Sequence, residues 1–303
     1  MLEYLGQVLR SVADVLTGLA PVMLPVAVVA TALFFLSNQA CNPGTPWWRN
    51  RGLVTDMWYC VFTPFASPIM RLVGMYVIAV MLLPFMTADQ LSDYITNGRG
   101  PLSPLGFWGQ VAFYLIVSDF LLYWIHRCFH GRRLWPFHAI HHSAEHVDWT
   151  TAYRFHPVNL TLGAFFVDMV LYFAGVSLKV LVFMAPFQTV TALFVHANLN
   201  WTLGPLKYVI ATPVFHRWHH GPPHLGGEKN FAPLFPFWDY LFGTFYMPEG
   251  QLPQEYGVED PHMPQGFFQQ LIYPFRGLFL RAEADQVSAS PSALESAQPQ
   301  RGS

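Results

Sequence analysis

The chain has 303 residues, 53% of them hydrophobic and only 11% charged, with a net charge of −2 and a mean hydropathy of +0.30. A soluble domain carries about 25% charged residues, so a protein that is water-soluble throughout is excluded, and without a basic run nothing suits nucleic acid as a partner. Three scattered cysteines (Cys41, Cys60, Cys128) offer neither a disulfide framework nor a paired-cysteine metal site, and are expected as buried small side chains.

Residues 15–36 form an uncharged apolar run of 22 residues, enough to cross a bilayer, which takes about 20. The run is too long for the apolar part of a cleaved leader, so a permanent anchor is expected, kinked at Pro21 and Pro25. Residues 57–86 are apolar but interrupted by Pro64, Pro68 and Arg71. A short or re-entrant piece followed by a span over 72–86 fits that pattern. Residues 87–104 are polar with Gly and Pro, hence a loop. A third span over 105–125 contains one ionisable residue, Asp119.

A polar, histidine-rich stretch occupies 126–157. Residues 158–174 and 180–195, joined by a turn at 175–177, read as a hairpin of two rather short spans. Asp168 in the first arm is positioned to pair with Lys179 if the hairpin geometry allows. Residues 196–264 are again polar and rich in His, Pro and aromatics. The expected organisation is membrane anchor helices over 1–104, a catalytic domain over 105–264, an amphipathic helix on the membrane surface over 265–281 and a disordered tail over 282–303. The fold class is an all-α integral membrane protein with four to five transmembrane helices. Lys and Arg flank the spans on one side (Arg49, Arg51, Arg127, Arg132, Arg133, Lys207), whereas the 87–104 loop has only Arg99 against Asp89 and Asp93. The excess of positive charge puts both histidine-rich stretches in the cytoplasm, as one helical cap.

Twelve of the 13 histidines lie between His126 and His224. His126 and His130 form HxxxH; His138, His141 and His142 form HxxHH; His216, His219 and His220 repeat it. Helical positions i, i+3 and i+4 share a face, so each pattern aims its imidazoles at a common point, and imidazole is the commonest metal ligand. His156 in Arg-Phe-His-Pro and His196 in Val-His-Ala-Asn bring the set to ten candidates, too many for one ion and about right for two. His146, His224 and His262 fall outside the patterns and read as ordinary structural histidines. Asp119, seven residues before His126 and on its face, is expected to accept a hydrogen bond from a ligand histidine. Asn230 and Asp239 do similar work or cap loops.

This series, followed by Trp238-Asp239-Tyr240-Leu241-Phe242-Gly243-Thr244-Phe245-Tyr246, resembles the fatty acid hydroxylase / sterol desaturase superfamily across roughly 108–246. The segments 142–145 and 150–152 resemble its bacterial branch, which implies a bacterial inner membrane. The resemblance implies a non-haem di-iron centre on the ten histidines named, with His156 the least typical. It also implies O2 as co-substrate, a separate reductase as two-electron donor, and a lipid or sterol-like substrate taken from the bilayer. Unactivated C–H bonds lie beyond side-chain acids and bases, so the metal must carry that chemistry. Hydroxylation is favoured over desaturation on the same centre. A metal transporter is the rival of another class, and it requires ionisable ligands near the bilayer midplane.

Overall fold

The structure, a computed structural model, describes residues 47–276 together with Gly6, Arg10, Val28, Thr31, Ala32 and Cys41. The anchor expected at 15–36 lies outside the described residues apart from Val28, Thr31 and Ala32, and the expected tail at 282–303 lies wholly outside them. Every regular element among the described residues is helical. In chain order these are α1 (Leu53–Leu82), α2 (Ala88–Asp93), α3 (Gly106–Phe129), α4 (Trp135–His142), α5 (Pro157–Ala174), α6 (Leu178–His196), α7 (Pro213–His219), α8 (Phe237–Leu241) and α9 (267–276).

Helices α1, α3, α5 and α6 are long and apolar enough to cross a membrane, yet only 22% to 39% of their most apolar stretches is buried inside the protein. Val61, Phe65, Ile69 and Val73 are all more than half exposed along α1. In water such surface would forfeit about 25 cal/mol per Å²; against lipid it forfeits nothing. The protein is integral to the membrane.

The expected break within 57–86 does not occur. α1 runs unbroken for 30 residues through Pro64 and Pro68. Each proline removes one helical hydrogen bond, but a break in lipid would strand several backbone groups at once. Thr63 Oγ1 also ties this stretch to Tyr153 O at 2.7 Å. Nor does Arg71 end the helix, because it pairs with Asp168 on α5 at 3.5 Å. The hairpin geometry does not bring Asp168 to Lys179, the pairing left conditional on it. Lys179 sits in the first turn of α6 and donates to Asn97 Oδ1 instead. The hairpin of α5 and α6 agrees with its expected bounds, but its arms hardly touch; α1 and α3 pack on α5, and α3 on α6.

The supposed loop at 87–104 contains α2, closed by a capping box between Thr87 and Gln90, and a single π turn over Tyr94–Gly98. It covers the far end of the bundle. There Gly175 ends α5 with φ +91°, a left-handed position that favours glycine. A Cβ on Gly175 would also lie 2.8 Å from the Gly100 Cα, so backbone meets backbone.

At the other end a cap forms from α4, the 3-10 turn at Trp149–Tyr153, α7, α8 and α9. Arg154, fully buried, fastens it to the bundle: its Nε donates to Asp56 on α1 at 2.7 Å and its Nη1 to Ser143 at 3.1 Å. α9 packs Phe267 against Tyr59 and Phe62 and leaves Phe268 and Ile272 exposed. Gln270, a polar residue of this helix, is buried and donates to Ser143 Oγ at 3.1 Å. Of the cysteines only Cys41 is fully buried; Cys60 is half-buried and Cys128 exposed, and all three are free. Gly175→Ala should lower stability by about 2 kcal/mol, since both the positive φ and the missing space oppose a methyl group. Thermal unfolding in detergent reads this directly, and an unchanged midpoint would contradict the packing of the far end.

Candidate metal centre

Nine of the ten candidate histidines gather into two groups whose ligand atoms lie within 4.8 Å of one another: His126, His130, His138, His142 and His219, and His141, His196, His216 and His220. His126 and His130 come from the end of α3 and His196 from the last residue of α6. The HxxHH motifs do not each aim at one point, as expected, but divide. From α4, His138 and His142 join the first group and His141 the second. From α7, His216 and His220 join the second and His219 the first. Helical geometry explains the split, because i and i+4 differ by about 40° while i+3 lies about 60° to the other side. Two short helices lying between two centres thus serve both.

Hydrogen bonds fix which nitrogen faces inward. The Nδ1 atoms of His126, His141, His196 and His219 meet the carbonyl oxygens of Phe231 (2.7 Å), Arg154 (3.2 Å), Ala192 (2.7 Å) and Lys229 (2.8 Å). His138 Nδ1 meets Asn159 Oδ1 at 2.7 Å. A carbonyl oxygen only accepts, so Nδ1 carries the hydrogen and Nε2 keeps its lone pair. Those lone pairs converge: Nε2 atoms approach to 2.9 Å between His126 and His138, 2.9 Å between His196 and His216, and 3.2 Å between His141 and His196. Facing lone pairs repel. The spacing is that of ligands about 2.1 Å from a shared ion at right angles, which stand about 3.0 Å apart. Buried His130 Nε2 and His219 Nε2 have no hydrogen-bond partner, as ligand atoms should not. The residues fit a metal centre with an all-imidazole donor set.

Burial, then repulsion between neighbouring imidazoles, holds His130, His138, His141, His142, His216, His219 and His220 well below the usual value of 6.5. They are neutral at physiological pH, the state a metal requires.

The remaining expected residues fall around the site. His156 joins neither group: it caps α5 by accepting from Val158 N at 3.1 Å, and its Nε2 donates to Leu271 O at 3.1 Å. With both nitrogens engaged, it ties α9 to the cap. Asp119 contacts no ligand histidine; its two oxygens accept from Leu234 N and Phe235 N, both at 2.9 Å. Asp239 accepts from Phe231 N and Ala232 N at 2.7 and 2.8 Å, and from Thr244 Oγ1 at 2.6 Å. Asn230, left-handed at φ 59°, donates to Phe215 O at 2.8 Å and accepts from Tyr246 N at 2.7 Å. The three together hold the strap 229–235, whose carbonyls orient His126 and His219. His224 pairs with exposed Glu259, and His146 and His262 stand outside both groups. Sequence reasoning missed Asn159, a polar residue in the first turn of α5. It also missed Arg217 inside the second HxxHH motif, which donates to Val147 O and to Tyr256 Oη.

Residues 111–244 match the family model described as fatty acid hydroxylase. The chain is 32% identical over 173 residues to ornithine lipid hydroxylase OlsE of Rhizobium tropici, covering 57% of this chain and 51% of that protein. It is 33% identical over 139 residues to alkylglycerol monooxygenase of Homo sapiens, covering 46% and 31%. To sphingolipid C4-hydroxylase sur2 of Schizosaccharomyces pombe it is 30% identical over 151 residues, covering 48% and 51%. The chain thus spans about half the length, or less, of these relatives. No solved structure matches.

Because the ligand imidazoles are already neutral and hold no extra proton to displace, metal uptake should be as complete at about pH 6 as at about pH 7.5. With pKa values depressed below the usual range, proton competition begins only as pH falls beneath it. Titration of metal-free protein with cobalt(II), followed by absorbance, checks this, and half-loss of uptake across that interval would refute it.

Proposed function

We propose, from the match of residues 111–244 to the fatty acid hydroxylase family model, that this protein hydroxylates an aliphatic C–H bond of a membrane lipid. Two iron ions, one per histidine group, supply the O2 activation that side chains cannot. One oxygen atom enters the substrate; the other leaves as water, with two electrons and two protons delivered through a separate reductase. His126, His130, His138, His142 and His219 hold one ion and His141, His196, His216 and His220 the other.

The observation that carries this reading is a cavity of about 400 Å³ that joins the histidines to the interior of the bundle. His126, His138, His141, His196 and His216 line one end; Leu115, Leu122, Leu160, Val167 and Leu193 line its length. That volume lies in the range of small-molecule sites, about 300–1,000 Å³. A lipid chain in this bore reaches the imidazole groups without passing through water, and the buried cap keeps water off the reacting carbon. Exposed Arg49, Arg51 and Arg132 flank the spans on the cap side, whereas Arg99 on the far side is neutralised by Asp93 at 2.6 Å. This supports a cytoplasmic cap, and likeness to a rhizobial protein supports a bacterial inner membrane.

Membranes containing the protein, a reductase and heavy-isotope O2 should yield a lipid that gains one labelled oxygen. Loss of two hydrogens without label would turn the reading to desaturation, and product formed without O2 would end it. His141→Ala should abolish the product and remove most metal from the second group, read by elemental analysis; wild-type activity in that variant would contradict the site.

A further inference from the structure

The end of the cavity remote from the histidines is polar, although it lies inside the membrane. Arg71 lines it, 18 residues from the start of α1 and 11 from its end, hence near mid-span. Ser67 lines the same wall one turn nearer the cap, and Tyr114 faces Arg71 from α3. Behind Arg71 stands Asp168, only 7% exposed, with its Oδ1 at 3.5 Å from the guanidinium and making no hydrogen bond. An ionisable pair at this depth is costly, and a buried acceptor left without a donor adds to that cost; such groups are kept for a ligand. The metal groups lie at the opposite end of the cavity and make no use of them.

A glycine supplies the second observation. Gly163 lies inside α5, buried, and lines the cavity. A glycine in a helix interior is unfavourable, and elsewhere in the bundle close packing excuses it: a Cβ on Gly74 would meet the Phe165 ring at 3.3 Å. At Gly163 a Cβ would meet nothing within 4 Å. The missing side chain keeps the bore open between its two ends.

We propose that this end of the cavity binds the polar head of an elongated, uncharged amphiphile, with Arg71 and Tyr114 as its hydrogen-bonding floor, Asp168 behind them balancing the guanidinium, and Gly163 as the gap its chain threads. The inference rests on the cavity being the substrate's path. Asp168 behind the floor already balances the charge of Arg71, so an uncharged hydroxyl head suits it, accepting from the Arg71 guanidinium that lines the cavity. An ionised head would leave one charge uncompensated in lipid. Tyr114 and His126 both line the cavity, 12 residues apart on α3, a separation of about 18 Å. The carbon presented to the histidines therefore lies a long chain's length from the head, and the floor acts as a ruler for the position attacked.

The test measures binding, so it stands apart from whether the protein is a hydroxylase. Metal-loaded full chain in detergent is equilibrated with radiolabelled hexadecan-1-ol, hexadecane or hexadecanoate. Wild type should hold the alcohol roughly tenfold more tightly than either of the others. Arg71→Met combined with Asp168→Leu, which keeps the net charge, should erase that preference while metal content stays full. Tyr114→Phe, removing a single hydroxyl, should weaken it partially and serves as the readout if the double variant does not fold. Gly163→Phe should weaken binding of the alcohol and the alkane alike, with Gly163→Ala showing a smaller loss. Equal binding of alcohol and alkane by wild type, tightest binding of hexadecanoate, or a preference that survives the double variant would overturn the proposal. A labelled hydroxy-lipid formed without any alcohol preference would sink this inference alone.

Discussion

The Nδ1 atoms of His126, His138, His141, His196 and His219 each face an acceptor oxygen within 3.2 Å, and that contact decides where the opposite lone pair points. Without it, each ring would be free to flip or to turn toward a neighbour's N–H, and the nine clustered imidazoles would relax into an ordinary hydrogen-bonded cluster. With it, the lone pairs are trapped face to face, and only a cation relieves their repulsion. Four of the five acceptors are backbone carbonyls, whose positions are set by the fold. The strap 229–235 is the clearest case. It contributes two of those carbonyls, and every contact made by Asp119 and Asp239 to its backbone N–H groups serves to hold it still.

Such a cap stays in register with the bundle only if something stiff joins them. Two fully buried arginines do so. Arg154 bonds α1 through Asp56, and its carbonyl simultaneously orients His141. Arg217, between two ligands of α7, reaches Val147 O and Asn198 Oδ1. Buried ion pairs seldom add net stability over apolar packing, because desolvation offsets the attraction. What they add here is position: a charge that must find its partners admits one arrangement of α1, the 143–154 segment and α7.

The metal motifs and the α5–α6 hairpin were legible because each rests on local periodicity: HxxHH on a helical face, and two apolar runs around Gly175. The capping box at Thr87 and Gln90 is an equally local signal, but the Gly and Pro content of 87–104 masks the short helix that it starts. Other features depend on tertiary facts. Whether His156 points at a metal or caps a helix turns on Leu271, more than a hundred residues away. Asp119 shares a helical face with His126, which correctly places it beside the site but not on the ligand: its partners are N–H groups at 234 and 235 that carry no side-chain signature. The carbonyls of Phe231, Lys229 and Ala192 are invisible to sequence for the same reason, since any residue can supply them. Prolines in α1 misled because the cost of breaking a helix differs between water and lipid.

The shape of the cavity bears on the contrast between catalysis and transport. A transporter needs a path with two mouths and ligands along it. Here the lining runs from the histidines to Arg71, Tyr114 and Val167 and goes no farther. Beyond lie Leu91, Val176 and Val180, all with no exposed surface, and the backbone contact of Gly98 and Gly100 with Gly175. The far end is thus a packed plug, and the histidine end is closed by a cap in which His219, His220 and Arg217 are fully buried. Among the described residues, this cavity offers an ion in the imidazole groups no aqueous exit across the bundle. A lipid chain has room in the bore, because α5 and α6 hardly touch each other and Gly163 adds no side chain. The same gap that weakens the packing of the hairpin leaves the cavity open, so the fold gives up contact energy between two helices at the place where a hydrophobic guest restores it.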